Sequence, residues 1–522
     1  MTIRIFRNAR IHTGDPSRPT VQALAVDGET IVAAGSEAEV RAAAGAGAEL
    51  VDLAGEAVLP GLYDAHIHTA NYARALSEVD LRDAGSLEEA LAKIAAHAVR
   101  LAPGAWLFGG RWNSNTWDRP VQPDRHALDS VCPDRPVALP SVDGHTVWAN
   151  SQALRMVGVD RTTPDPVGGQ IVRDEHGEPT GILRESASYS LRALMTAGDL
   201  STELHAAQEE LLALGLTSVH DIDGEDCRAA YLELYGAGRL KLRVHKAIPV
   251  AHLEAAIEEG RHTGQGDDWF RTGPVKLFSD GALGSHTCHM SEAFAGDPGN
   301  LGIAVTPYDD LEKLIRTAAA ARIAVATHAI GDQANHLVVN AYEAVGSSPG
   351  LRHRIEHAQH LRRTDITRMA RLGIVASMQP VHCTSDIDLV SSLLAGQDLA
   401  SYAWRTMLNE GVPLAFGSDA PVEHPNPFAA LHAAVTRTRP DGTPAGGWQP
   451  EQRLNIGEAL LAHTLGSAYA AGEEGRKGLL APGLLADLIA VDTDPFTAKP
   501  DSVQHTKVLT TVVGGDIRWQ RS

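Results

Sequence analysis

Apolar runs of strand length alternate with amphipathic stretches of helical period through most of this chain. From about residue 203 the alternation is regular. Helical ELHAAQEELLALG leads to LTSVHD, YLELYGAGRL to LRVHKAIPV, HLEAAIEEGRH through a loop to GPVKLFSDG, and DDLEKLIRTAAAAR to IAVATHAIGD. The same step recurs with HLVVNAYEAV before RHRIEHAQ, DITRMARLG before IVASMQP, and WRTMLNEG before VPLAFGSDAP. A strand covered on both faces reads as a short uninterrupted apolar run, and helices between such runs predict parallel βαβ units. With the strand that ends at His66 the runs number eight, which closes a TIM barrel. The expected class is α/β, a (β/α)8 barrel.

Both chain ends follow a different rhythm. IRIFRNARIHT, ALAVDGETIVAAG and AELVDLAGEAVLPG read as short strands punctuated by Gly and Asp, as do ADLIAVDTDP and TKVLTTVVGGDIRWQ near the C-terminus. Residues 1–58 and 476–522 are expected to pair into one composite β-sandwich beside a barrel spanning 59–475. Residues 85–100 have helical period and open at Ser86, and IGEALLAHTLGSAYAAG is also helical. Residues 101–195 break the pattern with Gly, Pro, Trp and Asn. They are expected to form an insertion after the first barrel strand, a lid or pocket segment at the catalytic face.

A length of 522 residues suggests three domains at ~150 residues each, but one barrel alone takes ~250. The formal charge of −20 argues against nucleic acid or an anionic membrane surface as partner. No apolar stretch approaches the ~18 residues of a membrane span, and the N-terminus alternates like a strand, unlike a signal peptide. Cys132, Cys227, Cys288 and Cys383 are scattered without a CxxC pair, which fits a reducing cytoplasm. Nucleotide-binding glycine patterns are missing. With 24 histidines present, position must separate ligands from the rest.

The sharpest chemical signal is VLPGLYDAHIHT. His66 and His68 are two residues apart, so on a strand both side chains leave the same face and can reach one cation. Lys276, His328, His357 and Asp419 stand at the ends of later strands, and in a TIM barrel those C-terminal ends form the active-site face. Imidazoles with a carboxylate suit zinc and related borderline ions.

At these residues the chain resembles the amidohydrolase superfamily, in its amidohydrolase-3 branch of YtcJ-like and N-substituted formamide deformylase-like proteins. The motifs that carry the resemblance are PGLYDAHIH, GHTVWANSQAL, GEPTGILRESA, VKLFSDGALGSHT, THAIGD, RIEHAQ, SMQPVH, FGSDAPV and GLLAPGLLADLIAVDTDP. The resemblance implies a barrel with a composite sandwich and one or two divalent ions per chain, zinc first, with manganese or iron as alternatives. It implies that His66, His68 and Asp419 bind the more buried ion and that His328 and His357 bind the second. Lys276 would bridge them as a lysine carboxylated by carbon dioxide, with Glu185 a rival bridge or pocket residue. An ordinary lysine has a pKa of about 10.4, so carboxylation needs a site that favours the neutral amine.

The implied reaction is hydrolysis of a non-peptide C–N bond (amide, formamide or N-acyl) in a small molecule. Activated water attacks, and Asp419 serves as general base and then general acid. Ring opening, deamination, ester hydrolysis, or a non-catalytic scaffold or regulatory role are the alternatives. The resemblance also implies a homodimer. His145, Trp112 and Trp148 in the 101–195 insertion are candidates for substrate contact, as are Asp280, His286 and His382 in strand-end loops. His220 and His245 are expected to pack inward at the second and third strands.

Overall fold

The computed structural model describes residues 3–522 apart from 46, 115, 116, 120, 142–145, 167, 168, 196–198 and 347. The eight expected strands are present: β1 (Leu62–Ile67), β2 (Leu216–Asp221), β3 (Arg243–Pro249), β4 (Phe270–Phe278), β5 (Val325–Ala329), β6 (Arg354–His357), β7 (Val375–Met378) and β8 (Leu414–Phe416). They pair in that order, every pair parallel. All six residues of β1 and all four of β6 and β7 are buried, including the polar Asp64 and His66 of β1 and Arg354, Glu356 and His357 of β6, as expected for strands covered on both faces. Between β8 and β1 the circle closes through backbone hydrogen bonds. Asp419 N–H donates to the His66 carbonyl (2.7 Å), and His68 N–H donates to the Ala420 carbonyl (2.9 Å).

The covering helices follow from spacing. Tyr308–Ala320 buries Leu311, Ile315 and Ala318 on one stripe and carries Asp309 and Asp310 at its positive N-terminal end. IGEALLAHTLGSAYAAG breaks into Ile456–Ala462 and Leu465–Ala471. The break frees the His463 carbonyl to accept Tyr63 N–H from β1 at 2.7 Å, so tertiary contact outweighs helical continuity there.

The chain ends build two sheets. One orders Thr30–Gly35, Ala23–Asp27, Arg4–Arg7 and Glu49–Asp52. The other joins Asp516–Gln520, Val508–Val513 and Leu488–Val491 to Ala57–Pro60, Arg10–His12 and Thr20–Val21. Phe6, Ile11, Leu24, Ile31, Leu488 and Val512 lie in their shared core. The reading of residues 1–58 as strands alone misses a helix, Glu37–Ala44. Its start was legible in a capping box, with Ser36 and Glu39 satisfying each other's backbone N–H groups.

Residues 70–203 form a second compact unit with its own six-stranded sheet. Its helix Leu87–Ala98 starts as expected at Ser86, whose hydroxyl accepts Glu89 N–H. Among the described residues no helix is long and apolar enough to cross a membrane.

Barrel and sandwich are tied by a buried ion pair. Arg243 on β3 presents Nε and Nη2 to the two oxygens of Asp487 (2.7 and 2.9 Å) and lies 4.6 Å from the Trp269 ring. Arg243→Met leaves the Asp487 charge buried and unpaired, at an expected cost of about 3–5 kcal/mol. Denaturant unfolding should shift accordingly, and Arg243→Lys should recover only part of the loss because it lacks the planar fork. A wild-type midpoint in the methionine variant would refute this role.

Candidate metal centre

The strand ends bring His66, His68, Lys276, His328, His357, His382 and Asp419 to the lining of one cavity of about 370 Å³. At its floor His66 Nε2 and His68 Nε2 each lie 3.4 Å from Asp419 Oδ1. One ligand atom from each of His66, His357 and Asp419 lies within 4.8 Å of the other two. The His357 ring is 4.9 Å from that of His66 and 4.6 Å from that of His328.

The other nitrogen of each ring is committed elsewhere. His66 Nδ1 donates to Glu356 (2.5 Å), His68 Nδ1 to Asp223 (2.8 Å), His357 Nδ1 to the Gln379 side-chain oxygen (2.8 Å), and His328 Nε2 to the Gly281 carbonyl (3.0 Å). Those partners assign the tautomers and leave one lone pair per ring for a cation. His66 on β1, His68 just beyond it and the Asp419 carboxylate in the turn after β8, with His357 beside them, form a donor set that fits a borderline divalent ion.

Behind these partners stand buried cations. Arg354 Nε meets Glu356 (2.7 Å) while its Nη1 donates to His220 Nδ1 (2.8 Å), and the His220 and His245 rings are 4.9 Å apart. Lys246 pairs with Asp221 (2.9 Å) and donates to the Asp223 carbonyl. Asp221, Asp223 and Cys227 also lie close enough to hold an ion, but Lys246 already supplies the positive charge.

Electrostatics follow this layout. Burial opposes ionisation of Glu356, yet Arg354, His66 and Lys276 hold it down at about 2. Burial likewise opposes Asp419, and His66, His68 and His357 keep it well below the usual carboxylate range. Burial works against charge on His68, but Asp223 and Asp419 raise it to about 10. His328, desolvated and near Lys276, falls to about 3, and buried His357 also falls well below its ordinary value. Lys276 is lowered by burial to about 8, against the pull of Glu356 and Asp419.

The backbone is specialised at the same place. His357 (φ 71°) and Asp419 (φ 60°) occupy the left-handed region, a strained choice for side-chain-bearing residues that clusters at functional sites. Gly417 has no alternative, because a Cβ there would meet His66 N at 2.5 Å.

Other candidates are placed as follows. Asp280 is buried beside His328 (3.5 Å from Nε2) and accepts N–H groups from His289, Ile330 and Gly331, while burial lifts its carboxyl to about 7. His286 packs its ring 5.4 Å from Phe294. In the 70–203 unit, Trp112 and Trp148 lie in the unit's own core, their indole N–H groups donated to the Leu139 and Asp124 carbonyls. Glu185 is exposed at the end of strand Pro179–Glu185, and His145 lies outside the described residues. Glu356, Asp223, Gln379 and Gln359 are the residues that motif reading missed. Glu356 and Gln359 stand inside RIEHAQ, and alternation along β6 was the available signal for an inward Glu356.

Residues 49–518 match the model of the amidohydrolase family, and the chain belongs to that family. It is similar to the protein LONG AFTER FAR-RED 3 of Arabidopsis thaliana, at 34% identity over 98% of this chain and 90% of that protein. It is similar also to an N-substituted formamide deformylase of Arthrobacter pascens, at 31% identity over 99% of this chain and 98% of the relative. Among solved structures, an uncharacterized metal-dependent hydrolase from Pyrococcus furiosus superposes with a TM-score of 0.79 at 30% identity. That match covers 95% of this chain and all of the other.

Asp223→Asn and Glu356→Gln should each weaken zinc affinity about 10–100-fold, because the imidazoles lose their orienting carboxylates. Chelator competition measures this. Unchanged affinity in both variants would show that the carboxylates do not orient the ligands.

Proposed function

We propose that this chain is a metal-dependent hydrolase of a non-peptide C–N bond (amide, formamide or N-acyl) in a small molecule. The carrying observation is the convergence of His66, His357 and Asp419 donor atoms at the floor of a cavity in an amidohydrolase-family barrel. His66, His68 and Asp419 would hold the more buried ion, and His328 and His357 a second, with Lys276 between. Zinc is the first choice for nitrogen and carboxylate donors, with manganese or iron next. When bound, a divalent cation supplies Lewis acidity that brings the pKa of water from 15.7 to about 7 and polarises a carbonyl oxygen.

The chain's own residues do the rest. Asp419, held ionised by three imidazoles, accepts a proton from the attacking water and returns it to the leaving nitrogen, so that amide and water become acid and amine. Its Oδ2 lies 3.9 Å from His382 Nε2, and among the described residues neither His382 ring nitrogen makes a hydrogen bond, which leaves that ring to hydrogen-bond substrate beside the general base. Lys276 at about 8 keeps a fraction of neutral amine near neutrality, which supports capture of carbon dioxide as a carbamate. A non-catalytic regulatory role is the second reading, and the intact donor set argues against it.

Purified protein should contain about one to two equivalents of zinc, manganese or iron by elemental analysis. Strong chelation should abolish hydrolysis across a panel of formamides, N-acyl amines and N-acyl amino acids, with recovery on adding zinc. Full rates after complete stripping would exclude the mechanism. Asp419→Asn should keep the fold by circular dichroism and lose about a thousandfold or more in kcat, given the weight of a general base and lost ligand charge. Normal turnover in that variant would remove Asp419 from the role.

A further inference from the structure

Among the described residues, no Lys or Arg side chain forms an ion pair with two carboxylates in the cavity wall, Asp386 and Glu423. Asp386, at the end of helix Pro380–Ser385 after β7, accepts the Tyr402 hydroxyl (2.6 Å). Glu423, in the loop after β8, accepts the Ser385 hydroxyl (2.7 Å). Ser385 directly precedes Asp386, so both acids belong to one stretch of wall. Lys276 is the only Lys or Arg among the described residues lining the cavity, and it belongs to the metal cluster. Burial pushes the Asp386 carboxyl up, with only the Tyr402 hydroxyl and His382 pulling it back.

Two side chains facing the same space have hydrogen-bonding capacity unspent. Among the described residues, Gln359, 4% exposed, has no donor to its side-chain oxygen, and His382, 8% exposed, has no hydrogen bond to either ring nitrogen. Buried polar groups are ordinarily paired, so an open pair of this kind in a cavity marks the place of a polar ligand. Phe278, Leu283, Ile330 and Val422 make the rest of the wall apolar. Along the stretch of wall that holds Asp386 and Glu423 the ionisable carboxylates are of one sign, and such a stretch draws cations and repels anions.

We propose that Asp386 and Glu423 form a subsite for a positively charged group on the substrate. The preferred substrates are then amides that carry an ammonium or guanidinium across a short apolar spacer, with Gln359 and His382 hydrogen-bonding the amide. This inference rests on the hydrolytic reading above.

The test uses the zinc-loaded full-length protein and straight-chain N-formyl and N-acetyl amides of equal length whose far end is methyl, ammonium or carboxylate. The ammonium amides should exceed the methyl ones about tenfold in kcat/KM, and the carboxylate ones should fall below by a similar factor. In Asp386→Asn/Glu423→Gln the ammonium-to-methyl ratio should collapse toward unity.

Calorimetric binding of an amino alcohol against the equal-length alcohol ending in methyl reads the subsite without turnover, since neither holds an acyl bond. If no amide is cleaved while the amino alcohol still binds more tightly in a way the substitutions remove, the hydrolytic reading fails and the subsite stands. An equal or reversed preference in the wild-type protein, or one that survives both substitutions, overturns the subsite. Should the double variant not fold, Glu423→Gln alone, at a partly exposed position, makes the same comparison.

Discussion

Negative charge buried at the mouth of the barrel is the constraint on which the rest of this molecule depends. Glu356 and Asp419 sit within a few ångströms of His66, and Asp223 beside His68, in surroundings where an unmatched carboxylate is costly. The chain answers part of that charge itself, with Arg354 behind Glu356 and Lys246 behind Asp221 and the Asp223 carbonyl. What it leaves at the front is a group of imidazoles around Asp419, a donor set that suits a divalent ion. His68, drawn up to about 10 by two carboxylates, shows how strongly the position favours positive charge.

That arrangement explains why the interior of this barrel is not the layered stack of branched aliphatics common to the fold. Arg354, Glu356, His220 and His245 occupy β6, β2 and β3 inside the wall, fully buried and largely engaged with one another. The hydrophobic work passes to the outer faces of the strands and the covering helices. The polar interior instead orients His66 on β1 through Glu356 of β6, and His68 just past β1 through Asp223 just beyond β2. Closure of the barrel and completion of the site are therefore one event. The backbone bond from Asp419 to His66 joins the last strand to the first, and the side chains of the same two residues face each other at 3.4 Å.

Much of this was legible in the chain. The eight apolar runs, the HxH spacing and the strand-end Lys276, His328, His357 and Asp419 all came from periodicity and residue type, and the structure places them around one cavity. The misses have physical reasons. Glu356 stands between Ile355 and His357 with no spacing pattern of its own, and its value lies in a contact with His66 on β1, 290 positions away in sequence. Asp223, Gln379 and Asp386 carry no spacing signal, since each acts through a partner on another strand or loop. Trp112 and Trp148 illustrate the converse. Aromatic richness marked 101–195 as unusual, but composition does not distinguish a wall from a core, and both rings lie in the core of the 70–203 unit.

The amino-acid sequence alone determined the order of elements, the pairing of both chain ends, and which side chains had the right chemistry and spacing to hold a metal. Those properties are local or periodic, and period-two alternation or a strand end can be read one segment at a time. Only tertiary structure decided which nitrogen of each histidine is left for a cation, which buried cation backs which carboxylate, and where, among the described residues, the cavity wall holds acids without a Lys or Arg. Those depend on distances between residues hundreds of positions apart, and on a low dielectric that exists only after the barrel has closed around them.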